Sequence, residues 1–491
     1  MSSKPISLKV NFIMNSILAM SSFIFPLITF PYVSRILLPV GTGKVAFATS
    51  LISYFCMFAQ LGIPIYGIRA CAEVRDDREK LTRIAQELLL INLIMSAISY
   101  GALILALIFI PRLHEDKILY IIVSTTILLT AIGMEWLYKA LEQYTYITIR
   151  AIFFKMLALV AMFLFVHNQS DYIIYGGISI FAASASNILN FINVHKFIEL
   201  KPVGKYNLKR HLKSVVVFFA MACAATIYTN LDTVMLGFMT TDVDVGYYSA
   251  AIKIKSILVS IVTSLGTVIL PRASYYIKNG FVNEFYKITR KALNFVFLIA
   301  TPLILYFIFF AKEGICFLSG SAYAGSVIPM QIIMPTLLLI GLTNILGIQI
   351  LVPTGREKIV LYSEIIGAIV DVIINTVLIP HYKSAGAAIG TLIAEFAVFV
   401  VQYHVLRKEI SAIFKEIYYL RIIIALVLGS VASIWVKFLD VGNLLTLVIS
   451  SILFFGMYGM VLLITKEPLI LEIFDQMIEK IKGKRFNLLK K

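Results

Sequence analysis

Charged residues interrupt stretches that are otherwise apolar, and chemistry would reside with them: the basic Arg35, Arg150, Lys155, Lys253 and Lys255, and the acidic Asp232, Glu364, Asp371 and Glu395. A charge at the centre of a membrane-crossing helix costs about 2.5–3.5 kcal/mol on insertion scales, so each needs a cargo, a partner or an ion to explain it. At 1.5 Å per residue Arg150 lies about 7 Å from the inner boundary, where snorkelling to water and a role in an interior cavity are both open. Lys155 lies about 15 Å deep and calls for a role in an interior cavity. Lys253 and Lys255 are about 200° apart around a helix, so they cannot both face one lumen, and one is expected to pair with an acid. Glu364, Ala368, Asp371 and Asn375 fall at i, i+4, i+7 and i+11 and draw a polar stripe. Such a stripe serves either as interhelical glue or as a lumenal face that pairs with lysines or holds H+ or Na+. Asp232 is expected to cap its helix or to latch the outer mouth.

No Walker loop, HExxH, GxSxG or Cys/His cluster with metal spacing is present, so neither ATP-driven nor metallohydrolase chemistry is indicated. Cys56, Cys71, Cys223 and Cys316 form no CxxC pair and read as small buried apolar residues. No metal and no cofactor is expected, the open question being a coupling ion, H+ or Na+.

The elements that must position these charges follow from composition. The chain has 491 residues, 60% of them hydrophobic and only 14% charged, with a mean hydropathy of +0.91. Soluble domains are about 45–50% apolar and about 25% charged, which excludes a soluble, nucleic-acid-binding or disordered chain. The sequence predicts an all-α polytopic membrane protein. Windows of about 20 apolar residues mark fourteen spans: 10–32, 45–66, 84–110, 118–138, 146–166, 172–194, 214–237, 247–270, 292–311, 327–351, 359–379, 385–406, 418–436 and 444–465. The first reads as a retained helix, not a cleaved signal peptide.

With both termini placed inside, the inner segments hold 32 of the 43 Lys and Arg residues, the outer ones seven and the spans four. That asymmetry sets the orientation and absorbs the net charge of +16 without a nucleic-acid partner. The basic segment Lys201–Lys213 could also attract anionic lipid. No outer loop exceeds about fifteen residues, too short for the external catalytic domain of a membrane glycosyltransferase or polymerase.

A faint internal repeat underlies the spans. Ser34-Arg35-Ile36-Leu37 leading to Gly43 returns as Thr233-Val234-Met235-Leu236 leading to Gly246, and Leu141-Glu142-Gln143-Tyr144 returns as Gly355-Arg356-Glu357-Lys358. Six spans repeating in the same orientation suit two lobes that rock around a central site. The expected organisation is a six-helix lobe over 1–196, a cytoplasmic linker over 197–213, a second lobe over 214–410, two further helices over 411–465 and a basic, amphipathic tail over 466–491. The repeat lays Arg150 over Glu364, opposite charges that could meet and gate a cavity.

The blocks Phe30-Pro31-Tyr32-Val33-Ser34-Arg35-Ile36-Leu37, Leu61-Gly62-Ile63-Pro64 and Tyr66-Gly67-Ile68-Arg69 resemble the N-terminal signature of the Wzx-type polysaccharide flippases. Glu135-Trp136-Leu137, Asn230-Leu231-Asp232-Thr233, Gly246-Tyr247-Tyr248-Ser249 and Gly386-Ala387-Ala388-Ile389-Gly390 fit the same family. Leu38 and Ala70 depart from it where Gly and Glu are usual. The resemblance implies the multidrug/oligosaccharidyl-lipid/polysaccharide exporter superfamily, with two lobes around a central cavity. It also implies carriage of undecaprenyl-pyrophosphate-linked oligosaccharides for O-antigen or capsule from the cytoplasmic to the periplasmic leaflet of a bacterial inner membrane. On that reading Arg35, Arg150, Lys155, Lys253 and Lys255 hold pyrophosphate or glycan, and Asp232, Glu364, Asp371 and Glu395 couple an ion or gate. Polysaccharide polymerase and chain-length machinery would be the protein partners. Two alternatives stay open: a cation-coupled multidrug exporter and a flippase for the peptidoglycan lipid precursor. A membrane-bound polymerase or acyltransferase is disfavoured by the short outer loops.

Overall fold

The computed structural model describes residues 8–472, and among these it is helical with no strand. The tail expected as an amphipathic helix therefore lies largely outside the described residues. In chain order the helices are α1 (Leu8–Gln60), α2 (Ile63–Ala72), α3 (Arg78–Phe109), α4 (Lys117–Gly133), α5 (Glu135–Ala140), α6 (Tyr144–Phe165), α7 (Tyr172–Ile180), α8 (Ser186–Asn193) and α9 (Lys209–Met239). They continue with α10 (Asp242–Lys278), α11 (Val282–Phe309), α12 (Ala311–Ser319), α13 (Val327–Ile333), α14 (Thr336–Thr343), α15 (Glu357–Lys415), α16 (Tyr419–Ile434) and α17 (Asn443–Ile464).

The two longest helices are each broken. Leu38 leaves the helical region (φ 56°, ψ 179°) directly before Pro39, because proline disfavours the α conformation in the residue preceding it. Lys383 does the same inside α15 (φ 51°, ψ −127°), three residues after Pro380. Ten described helices are long and apolar enough to cross a membrane, or eleven with the bent pair Ser321–Ile333 and Thr336–Leu351, so the expected fourteen are not matched one for one. The physical reason is that continuous helix and membrane crossing are different units. A hinge of one residue ends a crossing without ending the helix on either side.

Exposure along α3 shows which solvent these helices face. Ile94, Ile98, Leu105, Ile108 and Phe109 are exposed, while Glu87, Asn92, Ser96 and Ser99 are buried. Polar groups inside and apolar ones outside is the pattern of helices solvated by lipid.

The chain divides into two compact units. The first holds residues up to Ser249 together with Ile379–Ser384, and the second holds Ala250–Leu378 and the residues from Ala385 onward. In the first, α2, α3 and α5 close on a core of Ile63, Leu81, Leu88, Trp136 and Leu137. The segment expected as a linker, 197–213, packs within this unit. Gln86 donates to the carbonyls of Glu199 (2.6 Å) and Lys201 (2.8 Å), and fully buried Glu87 accepts from the Asn207 amide (2.8 Å), Arg210 Nε (2.8 Å) and His211 (2.7 Å).

In the second unit, Tyr306 donates to the Leu447 carbonyl (2.8 Å) and Tyr458 to the Leu298 carbonyl (3.0 Å), tying α11 to α17. The two halves of α15 meet on a polar seam. Asn375 Nδ2 donates to Asp371 Oδ1 (3.1 Å), Gln402 donates to the Ser363 hydroxyl (3.0 Å), and a Cβ on Gly390 would lie 2.1 Å from Asn375 Oδ1.

Candidate functional site

The basic residues singled out from sequence take distinct places. Arg35 is exposed, and its guanidinium bonds back to the Pro31 carbonyl of its own helix. Arg150, 4% exposed, does not snorkel. It donates to the Ser186 carbonyl, reaches Asn187 Oδ1 (3.4 Å) and Glu135 Oε2 (3.5 Å), and lies over the Tyr146 ring (5.8 Å), so it joins α5, α6 and α8 inside the first unit. Its charge is taken up by groups of its own unit.

Lys155 is different. Its ammonium donates to the hydroxyls of Ser21 (2.9 Å) and Ser22 (3.1 Å). Those hydroxyls in turn donate to the Leu18 carbonyl, which turns their lone pairs toward the lysine. No carboxylate within 4 Å balances this charge among the described residues. Lys155 lines an apolar groove of about 340 Å³ between the first part of α1 and α6, with Ile17, Ile24 and Ile28 on one wall and Met156 and Leu159 on the other. In the second unit Lys253 and Lys255 are half-buried on either side of buried Ile254 of α10, so the two lysines occupy opposite shoulders of that helix.

Among the acids, Asp232 is buried and accepts the Tyr248 hydroxyl. Asp371 lies in the seam of α15. The buried line there runs Ser363, Gly367, Asp371, Asn375 and Ile379, with Glu364 half-buried on its shoulder, and Glu395 is buried on the other half of the helix. The four cysteines are unpaired, and Cys56 and Cys71 are buried.

The polar cluster that sequence reasoning missed lies at the end of the first unit expected to face outward. Lys44 pairs with Asp116 (2.9 Å), which also accepts the Tyr172 hydroxyl (2.7 Å). Arg112 pairs with Asp242 and donates to the Gly237 carbonyl (3.0 Å), while Lys383 lies 3.8 Å from Asp244. A signal was available: the three cations and the three aspartates all lie in short segments between the expected spans, on the side expected to face outward.

Here the repeated motif also meets itself. A Cβ on Gly43 would lie 1.8 Å from the Asp242 carbonyl oxygen, and one on Gly246 would lie 2.1 Å from the Pro39 carbonyl oxygen. Pro39 and Asp242 are separated by the same number of residues as Gly43 and Gly246, so the contact is reciprocal. Only residues without a side chain permit this backbone approach.

The fold and these residues can be set beside known proteins. Two curated relatives carry the name O-antigen transporter. The one from Escherichia coli (strain K12) is 25% identical over 80% of this chain and 95% of its own, and the one from Shigella dysenteriae is 24% identical over 79% and 97%. Among solved structures, the lipid II flippase MurJ in an inward closed conformation is similar with a TM-score of 0.68 and 17% identity, over 92% of this chain and 99% of that one. An inward-facing multidrug resistance MATE family transporter is similar with a TM-score of 0.61 and 14% identity, over 83% and 99%. Residues 8–276, which hold the Arg35 motif, Lys155, the Lys44–Asp116 and Arg112–Asp242 pairs and the Gly43–Gly246 contact, match the model of one family, and the chain thus belongs to the polysaccharide biosynthesis protein family.

Proposed function

We propose that this chain is a flippase, a transporter and not an enzyme, that moves undecaprenyl-pyrophosphate-linked oligosaccharide repeat units from the cytoplasmic to the periplasmic leaflet of a bacterial inner membrane. The observation that carries this reading is Lys155, a cation well inside a span whose partners are two serine hydroxyls, set in an otherwise apolar groove. A pyrophosphate supplies the missing negative charge, and the groove beside it suits a polyprenyl tail. Family membership and relatives named for O-antigen transport support the glycan as the remaining part of the cargo.

The energetics explain why such a protein is needed. One hydroxyl left unpaired in hydrocarbon costs about 4–8 kcal/mol, so a sugar with several cannot cross unaided. The lysine and arginine imbalance supports a cytoplasmic position for both termini. Moving about two negative charges outward then releases about 4–5 kcal/mol per 100 mV, so coupling to H+ or Na+ is permitted without being required. Alternating access supplies the path. Within the first unit, the pairs Arg112–Asp242 and Lys383–Asp244 tie the start of α10 to the segment before α4 and to the break in α15, a periplasmic latch that must open to release cargo.

The test is deletion of the gene in its own bacterium. Surface polysaccharide should stop and undecaprenyl-linked units should accumulate on the inner leaflet, while an unchanged surface would overturn the reading. In the complemented strain, Lys155→Ala should impair export without loss of membrane insertion, and so should Lys253→Ala or Lys255→Ala. Wild-type export with Lys155 and both α10 lysines replaced would remove the basic anchors from the mechanism.

A further inference from the structure

A second cavity in the first unit has a chemistry opposite to that of the Lys155 groove. It measures about 410 Å³, within the usual range of small-molecule sites, and lies among the latter part of α1, α2, α4 and α9. Its polar lining consists of Ser53, Gln60, Thr126, Thr226 and Asn230, and no charged residue borders it among the described residues. It can neither neutralise a phosphate nor hold an organic cation by an ion pair.

Hydroxyls in membrane helices ordinarily bond back to a carbonyl of their own helix, as Thr49, Ser53, Thr130 and Thr229 do here. Two hydroxyls that border the cavity depart from that habit. Among the described residues the buried Thr126 hydroxyl has no hydrogen-bond partner, and the Thr226 side chain bonds to none although its carbonyl accepts from Asn230. The Gln60 amide is likewise without a partner among the described residues. Asn230 Nδ2 donates to the Thr226 carbonyl (3.2 Å) and the Thr229 hydroxyl (3.0 Å), which fixes the amide and leaves its oxygen to accept. Amides and hydroxyls both donate and accept, the pattern that matches a ligand made of hydroxyls. A buried polar group left unsatisfied is costly, so the Thr126 hydroxyl is better explained by a polar occupant than by packing, and the partly exposed Gln60, Thr226 and Asn230 are open to the same occupant.

We infer that this cavity is a sugar-reading subsite, which selects the glycan of the cargo by neutral hydrogen bonds while Lys155 holds the pyrophosphate. The inference rests on the flippase reading and divides its cargo into two separately recognised parts. Each part then has its own signature: loss of a threonine hydroxyl weakens binding only where a sugar is present, and loss of the lysine weakens binding whether or not one is.

The experiment uses the full-length protein in lipid nanodiscs and two probes: undecaprenyl pyrophosphate alone, and the undecaprenyl-linked glycolipid extracted from cells lacking this gene. Thr126→Val and Thr226→Val keep side-chain shape and remove the hydroxyls, so the double variant should bind the glycolipid about tenfold or more weakly and the bare pyrophosphate within about twofold of wild type. Thr226→Ser should restore most of the loss of Thr226→Val. Equal weakening of both probes, or unchanged binding of both, would show a cavity filled by water alone and overturn the inference while leaving the flippase reading in place. Failure of the wild type to bind either probe would overturn the flippase reading itself.

Discussion

The ammonium of Lys155 and the guanidinium of Arg150 lie on one helix only five positions apart, yet their surroundings assign them different work. Arg150 is enclosed by a carbonyl, an amide oxygen and a carboxylate of its own unit, so its loss should be felt as stability. Arg150→Met is expected to lower folding stability by about 2 kcal/mol, the worth of charge-assisted hydrogen bonds with a half-exposed Glu135. A fall in the thermal midpoint of the detergent-solubilised protein, with binding per folded molecule retained, would bear this out. Lys155 makes only hydroxyl contacts at its tip, so Lys155→Met should leave that midpoint nearly unchanged while export falls at least tenfold. A large drop in stability with normal export would reverse the two assignments. The sequence showed both residues as charges in a span. Depth alone separated them there, and their partners were not legible, because Ser186 and Asn187 on one side and Ser21 and Ser22 on the other are brought near only by folding.

At the level of helices, the breaks and close contacts carry the argument. Pro39 explains the turn at Leu38 from sequence alone, and Gly43 and Gly246 were visible as equivalent members of a repeat. That these glycines face each other was not legible, since a repeat specifies equivalence and not contact. Gly43→Ala and Gly246→Ala each place a methyl group within 1.8 or 2.1 Å of a backbone oxygen. Either is expected to prise the latch apart and raise labelling of a cysteine introduced at Val245, buried in the wild type, by a water-soluble thiol reagent. Unaltered labelling would mean that the contact yields at no cost. The ion pair beside it should respond to charge: Arg112→Glu should act like the glycine variants, and Arg112→Glu with Asp242→Arg should recover part of the closure. The stripe on α15 was legible in periodicity, but its direction was shifted. Packing on Gly390 chose the line through Ser363, Gly367 and Asp371, leaving Glu364 at the edge.

For the molecule as a whole, the segment 197–213 shows how a basic connection is restrained. Glu87 is fully buried and collects the Asn207 amide, Arg210 and His211, and Tyr66 engages the other ring nitrogen of His211 (2.8 Å). Glu87→Ala should leave all three of these donors without their carboxylate and release the segment, read as faster trypsin cleavage after Lys205 or Lys209 in inverted vesicles. Equal cleavage rates would show that Gln86 alone suffices. Sequence by itself determined that the chain is a multi-pass membrane protein, and it set the expectations of which way its loops face, that its helices repeat, and which charges demand a reason. Those properties follow from local composition and periodicity, which transfer energies read residue by residue. Only the tertiary structure decided which cation meets a carboxylate and which meets only hydroxyls, which hydroxyls have no partner among the described residues, and which glycines touch. Each of these depends on groups far apart in the chain sharing a few ångströms, and no local energy term carries that information.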